Sequence, residues 1–177
     1  MKISLLDFSV ENFKIFRERA TFSMFARKSG HTFTENGQNF LKTSLIFGPN
    51  ASGKSSLLNA FALFRNVVLN SSSSPENSEL PYHPFMLSDQ DDKPTSFEII
   101  FSLEKKIFRY NFSFLKNKIY TEELFELAST EKEKKHFIRK EQSIDVFLDF
   151  KNSKDVAKVK TRKEVLFLSA ASQWNND

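Results

Sequence analysis

Gly48-Pro49-Asn50-Ala51-Ser52-Gly53-Lys54-Ser55 sets two glycines, a lysine and a hydroxyl at the spacing G-x-x-x-x-G-K-[ST]. That spacing suits the holding of a polyphosphate. Successive backbone N–H groups from Ala51 to Ser56 converge on a phosphate as an anion nest. A helix opening near Gly53 adds its positive dipole end. Gly53 lets the backbone approach an oxygen with no Cβ in the way. Lys54 reaches the β- and γ-phosphates, and the Ser55 hydroxyl is the Mg²⁺ ligand. The candidate binding set is Asn50, Ala51, Ser52, Gly53, Lys54, Ser55 and Ser56, with Ser55 as the metal ligand. No Asn-Lys-x-Asp guanine signature is present, which favours ATP. The bland alternative is a chance match to a short pattern.

Such a loop must sit between a strand and a helix. Thr43-Ser44-Leu45-Ile46-Phe47 is apolar and β-prone, and a helix with apolar residues at helical spacing follows, ending near Leu69. Residues 3–10 and 20–26 read as strands that can pair. Arg27 to Asn39 is polar, contains Gly30 and Gly37, and reads as a loop. Asn70 to Pro84 carries four consecutive serines and three prolines, so 70–96 reads as a loop insertion. Phe97–Leu103 and Ile107–Phe114 flank the polar turn Glu104-Lys105-Lys106 and predict an antiparallel hairpin. Lys118 to Leu127 is a third strand, and His136–Lys140 and Ile144–Phe150 continue a meander. The charges of Glu122 to Gln142 suit a helix equally well. Val165 to Ala171 is a last apolar run. No internal repeat at solenoid spacing is present.

The 177 residues are enough for one domain with a real core. Phenylalanine is abundant at 21 residues and glycine scarce at four, two of them in the loop just described. Without cysteine there is no disulfide framework and no thiolate chemistry, which fits a cytoplasmic location. No segment has the length of a signal-peptide core or a membrane span. A net charge of +4 permits attraction to nucleic acid without arguing for it.

Val10-Glu11-Asn12-Phe13-Lys14-Ile15-Phe16 is similar to the "NF-[RK]" start of RecF, SMC and OLD-type ATPase heads, which precedes a "GxNxSGKS" loop there. Most SMC-type heads have glycine where this chain has Ala51. With Pro49-Asn50-Ala51-Ser52, the chain resembles OLD-like AAA family ATPases. Later pieces fit too: Pro84-Phe85-Met86-Leu87, Pro94 to Ile99, Phe108 to Phe112, Glu122-Glu123-Leu124, and "LFLS-x-A" ending at Ala170. The resemblance implies an α/β P-loop NTPase fold, an ABC-type ATPase head with a β-rich antiparallel lobe. It implies Mg²⁺-dependent ATP hydrolysis by two heads that sandwich ATP as a homodimer. It implies work in DNA transactions or phage defence, with a nuclease or toxin partner. By position, Lys14 touches the γ-phosphate, against the plainer reading of a surface lysine. Asn50 fixes loop shape or faces attacking water. Gln90 stands where a Q-loop glutamine would, although its acidic neighbours suit a solvated residue.

Hydrolysis also needs an acidic strand end and a general base. The nearest imitation is Ile144-Asp145-Val146-Phe147-Leu148-Asp149, but Phe150 stands where glutamate is expected. The chain therefore reads as one P-loop ATPase domain over 1–177, incomplete at its C-terminus, with its catalytic residues unidentified. A truncated parallel sheet would leave apolar faces uncovered. His31, His83 and His136 have no metal-ligand spacing, and no G-x-S-x-G elbow is present. The basic stretches 132–140 and 158–163 read as solvated turns more readily than as contacts to a phosphate backbone. Phe61, Phe64, Phe101, Phe112 and Phe147 read as core. Two competing readings are a nucleotide-responsive module without hydrolysis and a nucleic-acid-binding β-rich domain.

Overall fold

Period-two patterning dominates the chain, and a computed structural model turns most of it into one antiparallel sheet. It describes residues 3–27, 30–35, 37–87, 93–127, 133–147 and 161–174. The strands are β1 (Ile3–Glu11), β2 (Ala20–Ser23), β3 (Thr32–Glu35), β4 (Gln38–Leu41), β5 (Thr95–Leu103), β6 (Lys106–Leu115), β7 (Lys118–Leu127), β8 (Glu133–Lys140) and β9 (Ser143–Val146). The helices are α1 (Lys54–Asn70) and α2 (Phe167–Trp174). Seven strands form a sheet in the order β2-β1-β5-β6-β7-β8-β9, and β3 and β4 form a separate hairpin. Every pairing is antiparallel. Glu104 and Lys105 in one turn and Glu141 in the next take positive φ, the backbone twist that suits tight hairpins.

The two faces differ as an antiparallel sheet allows. One face presents Phe8, Val10, Phe97, Tyr110, Phe112, Leu124 and Phe137, all buried. Helix α1 covers it with Leu57, Ala60, Phe61, Phe64, Val67 and Val68, a single stripe at helical spacing. Phe8 stacks on Phe61 at 3.8 Å between centroids, and Phe64 on Phe112 at 5.5 Å. Each such pair adds about 0.5–1.5 kcal/mol beyond its buried area. The opposite face carries a polar row across five strands: Thr21, Ser9, Glu98, Asn111 and Glu123 lie in register. Ser9 and Thr21 share a hydrogen bond of 2.9 Å. Among the described residues no helix is long and apolar enough to cross a membrane.

Five expectations are corrected, and one open alternative is decided. The 27–39 loop contains β3 and begins β4, because Gly37 at φ +76° closes a hairpin whose Phe33 and Phe40 pack beside Leu6 and Ile107. Glu122 to Gln142 is strand rather than helix where described, since its alternation serves the sheet face. The serine run is no free loop: Ser71–Ser73 is a 3₁₀ turn, and the Ser71 and Ser72 hydroxyls bond residues near position 168. Phe147 is partly exposed beyond β9 rather than core. Thr43 to Phe47 is not a strand: Leu45 is 74% and Phe47 85% exposed. A strand needs a neighbour for its backbone groups, and among the described residues none lies beside it. The parallel sheet expected around the loop is likewise not present among the described residues. Gln90, Asp149 and Phe150 lie outside them.

Candidate phosphate site

The loop from Gly48 leads directly into α1. Gly53 is the residue before the helix, at φ +93°, and no side chain caps the helix start. Its carbonyl accepts the first helical hydrogen bond, from the Leu57 N–H at 2.9 Å. The first turn carries no acidic residue. The N–H groups at this end therefore keep their partial positive charge. Ala51 also takes positive φ, +64°, a conformation that costs a non-glycine residue about 1–2 kcal/mol. The position where related heads carry glycine is thus one where the backbone asks for it. At Gly48 a Cβ would lie 2.7 Å from Ser52 Oγ, so a side chain there would require the Ser52 hydroxyl to turn away.

Lys54 folds back over its own loop. Its Nζ donates to the carbonyls of Gly48 and Pro49, each at 2.7 Å. Its third contact, to Ser52 Oγ, is long at 3.4 Å. An ammonium has three donors; two are spent on the loop and the third is held weakly. Asn50, Ala51, Ser52 and Ser55 are exposed, and Gly53, Lys54 and Ser56 are half-buried. All seven stand on one continuous loop and helix start.

Lys14 lies at the tip of a minimal hairpin. Phe13 and Phe16 exchange backbone hydrogen bonds of 2.8 and 2.9 Å, leaving Lys14 and Ile15 between them. Ile15 Cδ1 occupies the space a Cβ at position 53 would need, and Phe16 lies beside it. The structure thus brings the Lys14 turn against the end of the phosphate loop. Lys14 Nζ sits 5.6 Å from the Phe13 ring centroid, and no acidic partner for it is found among the described residues. His31, His83 and His136 do not come together. Among the described residues no group of three or more His, Cys, Asp or Glu can hold a metal ion. An apolar hollow of about 370 Å³ between the sheet and α1 is lined by Leu5, Phe64, Val68 and Phe101 and offers nothing to a phosphate.

Sequence reasoning missed a second polar centre. Glu122 and Arg139 are both fully buried, 3.6 Å apart. Arg139 reads from sequence as part of the His136–Lys140 strand and of a solvated basic stretch; it lies in β8 but is buried, donating to the carbonyls of Glu141, Val165, Arg162 and Lys163. Glu122 accepts from the Tyr110 hydroxyl at 2.9 Å and from the N–H groups of Phe167 and Leu168 at 2.6 and 2.9 Å. It is the anion at the start of α2. Burial pushes its pKa up, against the pull of Arg139 and these donors. Burial, then the Glu122 charge, holds the Tyr110 hydroxyl well above its usual range. The available signal was weak: single charges inside strand-like runs.

A family model described as "AAA domain, putative AbiEii toxin, Type IV TA system" matches residues 44–176. No curated protein matches the chain.

Proposed function

This chain belongs to that AAA domain family, and we propose that it binds Mg-ATP at the loop 48–56 as part of an ATPase head. As an AAA domain it is a nucleotide-binding P-loop protein with a β-rich fold. The finer assignment rests on the site. Ala51 to Ser56 would supply the N–H nest, Lys54 would meet the β- and γ-phosphates, and Ser55 would hold the Mg²⁺ that offsets the phosphate charge. Lys14 meets the γ-phosphate from the facing turn. Asn50 shapes the loop. The observation that carries this reading is the uncapped, acid-free start of α1 with Lys54 already drawn over it. A cation at a helix N-terminus is unfavourable alone; a bound polyphosphate reverses that.

The wider proposal follows the resemblance of Asn12-Phe13-Lys14 and Pro49-Asn50-Ala51-Ser52 to OLD-like heads. Residues 1–177 belong to one ABC-type head, with 70–96 as an insertion, and that head pairs with a second in the cytoplasm. The family description mentions a toxin of a type IV toxin–antitoxin system, and a toxin or nuclease partner in phage defence or DNA transactions fits it. A second reading is a module that binds nucleotide without hydrolysis. Its support is local: among the described residues, no carboxylate hydrogen-bonds Lys54 or Ser55.

The test is calorimetric titration of the chain with Mg-ATP beside Lys54→Ala, with phosphate release followed in the same samples. Binding in the wild type, weakened about a hundredfold or more in the variant, is the expected result. Absence of binding would reject the assignment. Release lost in Lys54→Ala would favour the ATPase over the silent module.

A further inference from the structure

The hairpin against Gly53 is anchored more firmly than a surface turn requires. Its first residue, Asn12, is only 3% exposed. Its side-chain amide donates to the Lys93 carbonyl, and its Oδ1 accepts from the Phe85 N–H at 3.1 Å. Its own carbonyl accepts from the Thr95 hydroxyl at 2.7 Å. Two residues on, the Lys14 N–H donates to the His83 carbonyl at 2.9 Å. The Tyr82 hydroxyl reaches the same Lys93 carbonyl at 2.7 Å. Asn12 and Lys14 both take positive φ, +49° and +50°. Asparagine tolerates that region; lysine takes it at a cost of about 1 kcal/mol or more. Strain of this kind persists only where the surroundings over-determine it.

The clamp has a direction. Asn12 fixes the strand end, the strand end fixes the tip, and the tip carries Ile15 to Gly53. Ile15 is half-exposed, yet its terminal carbon fills the side of Gly53. Gly53 in turn sets where the N–H groups of the α1 start point. The same clamp ties residues 83–85 and 93–95 into one unit with the loop.

Resting on the nucleotide reading above, we propose that the Asn12-anchored hairpin is a wall of the nucleotide site, with Asn12 and Ile15 as positioning residues. Asn12 touches no ligand in this arrangement. It holds Ile15 against Gly53 and so keeps the loop amides converged before a phosphate arrives. It also makes residues 83–85 sense the occupancy of the loop. Preorganisation of this kind strengthens binding by removing an ordering cost.

The experiment uses the full chain with Mg-ATP. Affinity is measured for wild type, Asn12→Ala and Ile15→Ala, and amide hydrogen exchange is read at Lys14 and Phe85 with and without nucleotide. Expected are a roughly tenfold loss of affinity in Asn12→Ala and a severalfold loss in Ile15→Ala. In the wild type, nucleotide slows exchange at the Lys14 and Phe85 amides; in Ile15→Ala this slowing is lost. A merely structural Asn12 would give no nucleotide-dependent protection at those amides. Ile15 is half-exposed, so its variant keeps the test open if Asn12→Ala does not fold. Wild-type binding with unchanged affinity in Ile15→Ala, or with no nucleotide-linked protection, overturns the proposal alone. No binding by the wild type overturns the nucleotide reading and this proposal together.

Discussion

The molecule has two helix starts that solve the same problem in opposite ways. At α2 the N–H groups of Phe167 and Leu168 meet the carboxylate of Glu122, buried and backed by Arg139 and Tyr110. At α1 there is no acid, no cap, and a lysine folded over the opening. Both ends carry the same partial positive charge. The chain supplies its own anion to one and, among the described residues, none to the other. A helix start with a carboxyl group fitted to it is closed to other anions, and one without is left able to take one.

Breaking the filled end should have the largest effect. Glu122→Ala leaves Arg139 as an uncompensated buried charge and should destabilise the fold by about 3–5 kcal/mol, read from urea denaturation. A loss below about 1 kcal/mol would mean that the pair is not the anchor described. Next comes Gly53→Ala at the open end. A side chain at φ +93° that also displaces Ile15 should cost about 2 kcal/mol. Adding Ile15→Ala should recover the part due to the collision, and a double-mutant cycle measures it. Ala51→Gly should act in the opposite direction. It relieves positive φ in an exposed loop and should stabilise by up to about 1 kcal/mol; a lower melting temperature would contradict the strain.

The smallest effect is on pH dependence. Burial raises the pKa of Glu122 above the ordinary glutamate value of 4.5. Above that value the unfolded chain gives up this proton before the folded one does. The contribution of Glu122 is then fullest below 4.5 and declines as pH rises through its higher native pKa. Glu122→Gln should flatten that part of the stability curve. An unchanged slope would assign it to other groups.

The open end was largely legible in sequence, because spacing and chirality fix it locally. The passage from the 48–53 loop into a helix at Lys54 is found as read, α1 ends near Leu69 as its apolar stripe predicts, and β5 to β7 follow from alternation and short turns. The filled end was not legible. Glu122 and Arg139 stand in runs of other charges, and nothing in one strand says which charge faces a partner 17 residues away. Asn12 read as part of a motif, while its clamp depends on carbonyls and amides more than 70 residues distant. Leu45 to Phe47 misled for the converse reason. They have the composition of a strand, but a strand is a relation to a neighbour, and none lies beside them among the described residues.

The serine turn after α1 bears on the order of assembly. Ser71 and Ser72 wait for Leu166 and Ser169, partners 95 and 97 residues further along. During synthesis, α1 leaves the ribosome long before those partners exist. Forming the sheet between them beforehand shortens the loop that this contact has to close. The junction is thus a late latch: it can close only once residue 169 has been made, when α1 and the strands between the two helices are already in the chain.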